Sequence, residues 1–304
     1  MANVVMQQFF ALLLLLSAAA IVGAQPAGMP KLETWNPPEL QTGAAKLVRE
    51  YTAPEARQGV AVDERYVYAI VNTVIGKYDK QSGELLARWT SPRGGPIRHI
   101  NSCYAAQGKL WCSNSNFPEV PMGSSVEVID TATMKHESSH SLGLMDEGSL
   151  TFFEPYLDGY IAGFAHYEET GGTGYKGSRY GAIVTYDARW RRTGGWLIPE
   201  TVQAKMTPHA ASGGGIGPDG LLYLLGHDRT ELYVLAKPRL GPVLLHLATI
   251  EIAAEGQALA WDRTVPGRRL YAISRPKGLI RAFDIPEVHL AHPDAQLFPI
   301  PELR

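Results

Sequence analysis

The feature that most constrains this chain is a hairpin unit that recurs five times: alternating apolar residues, a turn, then a second alternating apolar strand. The copies read GVAVDERYVYAI from Gly59, CYAAQGKLWCS from Cys103, LTFFEPYLDGYIAGF from Leu150, GGIGPDGLLYLLG from Gly214 and LAWDRTVPGRRLYAIS from Leu259. Each turn carries Asp, Gly or both, the residues that tolerate the positive φ a tight antiparallel connection demands. A third alternating strand follows each hairpin. Four of these strands (VIGKYD, VEVID, IVTYD, IRAFD) end at Asp79, Asp130, Asp187 and Asp284, and the remaining one, ELYVLAKP from Glu231, ends in Lys-Pro. Recurrence of Asp at one turn position marks these residues as Asx-turn formers and not as ligands. A short fourth strand comes next in four units: LLARWTS, SSHSLGL, TGGWLIP and LLHLATIEI.

Units of four strands beginning near Gln58, Asn101, Ser149, Ser212 and Gln257, with no helix-period segment between them, predict an all-β chain. Four-stranded antiparallel sheets repeated radially make a β-propeller. The fifth unit has three clear strands before Pro286, while an orphan strand, LVREYTAP from Leu47, precedes the first unit. That orphan is expected to close the ring as the outer strand of the last blade, leaving no open seam. Five blades are expected, or six if the tail from Pro286 to Pro301 builds strands of its own.

The propeller so defined covers residues 47–287, and the flanks read differently. Phe9 to Val22 (FFALLLLLSAAAIV) is an apolar run ahead of Val22-Gly23-Ala24, the pattern of a signal peptide, residues 1–24, cleaved after Ala24. It is shorter than the roughly 20 residues a membrane span needs, so no span is expected after its removal. Residues 25–46, with Pro26, Pro30, Pro37 and Pro38, read as an extended arm, and residues 288–304 as a tail. Export to the periplasm or medium follows.

Charge excludes one class of partner. With 28 Lys+Arg against 30 Asp+Glu and no long basic run, the chain lacks the footprint of a nucleic-acid binder. A monomer is expected. The two cysteines, Cys103 and Cys112, lie symmetrically about the Gln107-Gly108 turn, at a non-hydrogen-bonded cross-strand pair where Cα atoms approach to about 4.5 Å. That is within reach of a disulfide, which an exported protein can form.

Strand alternation sorts the loops onto two faces. The first-to-second and third-to-fourth turns share one face and consist of turn residues. The opposite face receives Arg57-Gln58, Arg98 to Ser102, Glu147 to Ser149, Pro208 to Ser212, Glu255 to Gln257, and also Asn72, Asn114, His166-Tyr167-Glu168, His227-Asp228 and Arg275. Four histidines, His99, His166, His209 and His227, therefore converge on one funnel. Converging imidazoles can ligate a transition metal, or one can act as a base near neutral pH while an arginine stabilises an anion. The loop from Glu168 to Arg179 is Gly-rich and long enough for a lid, with Tyr167, Tyr175 and Tyr180 as a stacking surface. Gly213-Gly214-Gly215 opens a strand and not a helix, so it reads as room for close backbone approach.

GVAVDERYVYAI with IGKYDKQSGE, and GIGPDGLLYLLG, resemble units of the broad superfamily of bacterial propellers that includes YVTN-type, NHL-type and gluconolactonase-like proteins. The resemblance covers Leu47 to Ile285 and specifies blades, not chemistry. Gluconolactonase-like members place acidic and Asn residues around a divalent metal at the channel. Here Asn72, Asn101, Asn114, Glu147 and Asp228 are available, but the histidines depart from that pattern. Propeller-shaped polysaccharide and antibiotic lyases are similar in presenting His near a central site.

The expectation is an exported propeller enzyme, a lyase or hydrolase acting on a carbohydrate or lactone-like small molecule. His209, His227, Asp228 and Arg275 would be catalytic, with Asp228 orienting a histidine or a metal and Arg275, or Arg98, facing a carboxylate or oxyanion. Gln58, Asn72, Asn101, Asn114, Tyr167 and Gln257 would bind substrate. A divalent metal (Zn, Mn or Ca) would sit on His99, His166, His209 and His227. The alternative is a non-catalytic propeller that presents the same funnel to a glycan, peptide or protein partner.

Overall fold

The structure is a computed structural model that describes residues 38–144, 146–168 and 174–301. The signal-peptide reading for residues 1–24, and the arm as far as residue 37, lie outside the described residues. Strands β1 (Gln41–Ala44) and β2 (Lys46–Thr52) precede five meanders. The first blade is β3 (Gly59–Val62), β4 (Tyr66–Val71), β5 (Val74–Asp79) and β6 (Leu85–Thr90). The second is β7 (His99–Ala106), β8 (Lys109–Ser115), β9 (Gly123–Asp130) and β10 (Lys135–Leu144). The third is β11 (Ser149–Tyr156), β12 (Gly159–Ala165), β13 (Ala182–Tyr186) and β14 (Arg192–Leu197). A short helix, α1 (Glu200–Met206), leads into the fourth: β15 (Gly213–Ile216), β16 (Leu222–Leu225), β17 (Glu231–Pro238) and β18 (Leu245–Glu251). The fifth is β19 (Ala260–Trp261), β20 (Arg269–Ser274), β21 (Leu279–Asp284) and, returning from the N-terminal side, β2.

β2 pairs antiparallel with β21 from Lys46↔Asp284 to Thr52↔Leu279, so the orphan strand closes the ring. β1 adds a parallel outer strand to the fourth blade, Gln41↔Ala248 through Ala44↔Glu251. The tail contributes only β22 (Ala295–Gln296), which pairs with Lys237 and Pro238. No sixth sheet forms among the described residues. Beyond β22, Phe298 packs edge-on against Tyr156 and Trp196.

The apolar strands are explained by where their two faces go. In β16, Leu222 and Leu224 join the cluster shared with Phe152, Ile161 and Ile183 of the third blade, whereas Tyr223 and Leu225 join Leu259, Trp261 and Leu270 of the fifth. A strand sandwiched between two neighbouring blades buries both faces, which is why LLYLL is continuous and not alternating. Five such clusters occupy the five blade interfaces, the last joining Tyr51, Tyr271 and Ile280 to Val60 and Val67 across the closure. Each fully buried Leu, Val or Phe contributes about 1.5–3 kcal/mol.

The triple glycine keeps the centre tight. A Cβ on Gly213 would lie 2.3 Å from the Ala258 Cα, and one on Gly214 2.8 Å from the Phe152 ring. The disulfide forms as expected: Cys103 and Cys112 are register partners with Cα atoms 4.0 Å apart, bracketing a turn whose two residues, Gln107 and Gly108, both have positive φ. Three of the recurring aspartates close Asx turns. Asp79 accepts from the N–H of Gln81 and Ser82, Asp130 from Thr133, and Asp187 from Arg189 and Arg191. Asp284 instead pairs with Arg269 at 2.8 Å. Among the described residues no helix is long and apolar enough to cross a membrane.

Candidate functional site

One mouth of the ring holds a cleft of about 170 Å³ to which all five blades contribute. Gln58 comes from the loop entering β3, His99 from the start of β7, and Tyr167 from the loop after β12. Pro208 and His209 precede β15, His227 follows β16, Gln257 precedes β19 and Arg275 follows β20. These are the fourth-to-first and second-to-third connections, the loop set that strand alternation assigns to a single face.

Beside the cleft, one carboxylate holds two of the imidazoles that line it. Asp228 accepts a hydrogen bond from His209 Nδ1 through Oδ2 and from His227 Nδ1 through Oδ1, each at 2.7 Å. An ionised carboxylate only accepts, so both Nδ1 atoms carry the proton and both Nε2 atoms are directed away from Asp228. The rings stack with centroids 3.9 Å apart. Arg275 Nη1 donates to His227 Nε2 at 3.0 Å, which requires that nitrogen to be unprotonated. His227 is therefore neutral, with its tautomer fixed from both sides. His209 Nε2 has no hydrogen-bond partner among the described residues.

The electrostatics agree with this assignment. Burial, more than any other cause, lowers the pKa of His227, and charge repulsion from His209 and Arg275 adds to that against the bond to and charge of Asp228. Burial opposes ionisation of Asp228, but the hydrogen bonds from His227 and His209 outweigh it and hold the carboxyl below its ordinary value. Burial lowers His99 to about 4, a shift that Asn101 opposes and Arg275 reinforces, so His99 is neutral at physiological pH. Burial raises the Tyr167 phenol, partly offset by Ser212 and Arg275.

The walls combine aromatic and amide groups. Phe117 lies edge-on to Tyr167 at 5.3 Å and beside His99 at 5.0 Å, and Tyr167 lies edge-on to His209 at 5.5 Å. Gln58 Nε2 donates to Asn72 Oδ1 at 3.0 Å, which fixes the amide and leaves its oxygen as an acceptor. Gln257 is 3% exposed, has a left-handed φ of 69°, and its Nε2 is buried without a partner. A strained backbone carrying an unpartnered donor into a cleft is the kind of residue that a ligand completes.

Of the residues expected at the funnel, His99, His209, His227, Asp228, Arg275, Gln58, Tyr167 and Gln257 come together, with Asn72 behind Gln58. Three others serve the scaffold. Asn101 donates to the Leu150 carbonyl at 2.7 Å and so joins the second blade to the third. Asn114 Oδ1 accepts from the N–H groups of Arg98 and His99, both at 3.1 Å, and so positions His99. His166 is 2% exposed and does not line the cleft; Asp146, Glu147 and Lys176 surround it. Arg98 pairs with Glu119 on the surface. Within the expected lid, residues 169–173 lie outside the described residues, Tyr175 donates to Asp146, and Arg179 lies over Tyr180. The aromatic wall formed by Phe117 was not singled out from the sequence; its position three residues after Asn114 in a second-to-third loop is the signal that marks it.

His209, His227 and Asp228 also form a donor set whose ligand atoms all lie within 4.8 Å of one another. Two imidazoles and a carboxylate suit a divalent transition metal. In this arrangement both carboxylate oxygens receive N–H groups and a guanidinium covers one Nε2, so a cation would have to displace Arg275.

Fold and site together define a five-bladed β-propeller with a histidine-lined cleft at one mouth. No family model and no curated protein sequence matches the chain. Among solved structures it is similar to the WD40 repeats of RRP9 (9% identity, TM-score 0.42, covering 76% of this chain and 79% of that one). It is similar also to the Myceliophteria thermophila Cps50 (Swd1) β-propeller domain (11% identity, TM-score 0.36, 75% and 83%) and to Kuenenia stuttgartiensis hydrazine synthase (11% identity, TM-score 0.42, 74% and 70%). These are likenesses of fold.

Proposed function

We propose that this protein is an exported propeller enzyme, a lyase or hydrolase that acts by acid/base chemistry on a small carboxylated carbohydrate or lactone. One observation carries the reading: Asp228 fixes the tautomer of two stacked imidazoles, leaving His209 Nε2 with no protein partner at the cleft. A carboxylate on Nδ1 fixes the tautomer and orients Nε2, the same logic by which a positioned base is prepared in other hydrolytic sites. Arg275, tethered through one nitrogen to His227, retains further N–H donors for a substrate carboxylate or an oxyanion. Gln257 Nε2 and Gln58 Oε1 supply a donor and an acceptor for hydroxyl groups. Phe117 and Tyr167 offer the apolar wall on which the hydrophobic face of a sugar ring rests. The buried disulfide and the N-terminal apolar run support an oxidising compartment outside the cytoplasm.

The test is turnover of a panel of aldonolactones and uronate oligomers, with His209→Ala and Asp228→Asn alongside. Loss of turnover with retained binding in both variants supports catalysis; binding without turnover in the unaltered protein leaves the recognition reading. The spacing of the 2-His-1-carboxylate donors favours a second reading, in which a divalent ion (Zn, Mn or Ca) occupies His209, His227 and Asp228. Elemental analysis of the unchelated protein decides between the two, since near-stoichiometric metal lost in His209→Ala with His227→Ala fits only the second.

A further inference from the structure

The opposite mouth of the ring carries an independent cavity with unspent donors. Its outer part is about 510 Å³ and narrows inward to a space of about 20 Å³, room for about one water. Val62, Ala105, Trp261 and Arg263 line both parts, so the two are continuous. Trp261 is only 5% exposed, and its indole Nε1 is buried with no hydrogen-bond partner. Arg263 Nε is likewise buried and unpartnered, while its Nη2 donates to the Ile216 carbonyl and is thereby held in place.

An indole N–H and a guanidinium N–H can only donate, so what completes this cavity must accept. Of the neighbouring carboxylates, Asp262 is taken up by Lys80 and by the N–H and hydroxyl of Thr264. Asp63 is committed to the N–H groups of Arg65 and Tyr66 and to the Tyr68 hydroxyl. Glu154, at the inner end, receives the Ile216 N–H and is fully buried, which raises its pKa, while the charge of Arg263 opposes that rise. Two buried N–H donors without a partner, one of them on a guanidinium, are each costly and favour a bound acceptor, an anionic one most.

We propose that this mouth is an oxyanion site, in which a carboxylate or phosphate group is held between Trp261 Nε1 and Arg263 Nε with the rest of its ligand extending into the wide outer part. The site shares no lining residue with the histidine cleft.

The test follows the indole N–H resonances of protein ¹⁵N-labelled at its six tryptophans, the Trp261 peak being assigned by its absence in Trp261→Phe. Sodium acetate and inorganic phosphate are titrated separately against sodium chloride at matched ionic strength. The expected result is a saturable shift of the Trp261 peak with at least one of the two oxyanions, weakened tenfold or more in Arg263→Gln while the other five peaks keep their positions. The acetate and phosphate arms distinguish the two sources of the oxyanion. Absence of a saturable shift with either, or an equal shift in Arg263→Gln, would show that solvent alone satisfies these donors and overturn the proposal. Because the readout is binding at Trp261 and not turnover, failure here is distinguishable from failure of the catalytic reading.

Discussion

The two mouths of the ring are made by the same twenty blade strands, yet they differ in how their polar groups are used. On the turn-rich mouth the carboxylates are taken up: Asp79, Asp130 and Asp187 accept from the backbone N–H groups of their own turns, with Lys109 and Arg191 on the other oxygens of Asp130 and Asp187. Asp63 accepts from two N–H groups and a tyrosine hydroxyl, which leaves the Trp261 and Arg263 donors open there. On the other mouth the carboxylate of Asp228 is spent on side chains, which in turn leave an imidazole nitrogen and an amide to the cleft. The lesson is that in a repeated fold a polar residue consumed by its own backbone is scaffold, whereas one held by another side chain and still carrying free valence marks chemistry.

The two mouths differ most at His209. His209→Ala is expected to lower turnover by about 10²–10⁴-fold, the range for loss of a positioned acid/base group, with little change in Tm. An unfolded or destabilised variant would show instead that the residue is structural. The disulfide sharpens the contrast from the scaffold side. Reduction, or Cys103→Ala with Cys112→Ala, should cost about 2–3 kcal/mol for so short a loop and leave activity at the far mouth intact, as paired denaturation and turnover assays would read. A parallel loss of activity would mean that the second blade transmits strain to the cleft.

Acid separates the mouths by a third route. Burial lowers His99 and His246 to about 4 and moves His227 and His166 downward, so the unfolded chain takes up protons before the folded one does. Stability present above about pH 6.5 is therefore lost as pH falls from there toward about 4, and Tm measured across that window should decline. A flat profile would mean these imidazoles titrate as freely folded as unfolded. The smallest effect is expected for Asp187→Ala, under about 1 kcal/mol and without consequence for turnover, since it removes one surface Asx turn. Measurable loss of activity in that variant would contradict the division of labour between the faces.

The fold was legible because its signals are local and repeated. Turn residues at fixed offsets and period-two alternation specify each hairpin, and the missing fourth strand of the last unit points to LVREYTAP. The parallel strand β1 was not legible, because pairing of Gln41–Ala44 with Ala248–Glu251 is a long-range contact with no local signature. For the site, chain direction alone placed His209, His227, Asp228 and Arg275 on one face. It could not rank His166 against His209, since both end strands on that face and only packing buries the former beside Asp146 and Lys176. Nor could it reveal that Asn101 donates to the Leu150 carbonyl, or that Asn114 accepts from the Arg98 and His99 N–H groups while donating to Ser125, choices settled by neighbours distant in sequence.

Asp228 sets the tautomer of both His209 and His227. Long-range ¹H–¹⁵N correlation of histidine-labelled protein at pH 8, with and without Asp228→Asn, measures that directly. The predicted result is the Nδ1–H tautomer with an unprotonated Nε2 at both His209 and His227, lost or mixed in Asp228→Asn. The Nε2–H tautomer at either residue, or spectra indifferent to Asp228→Asn, would contradict it.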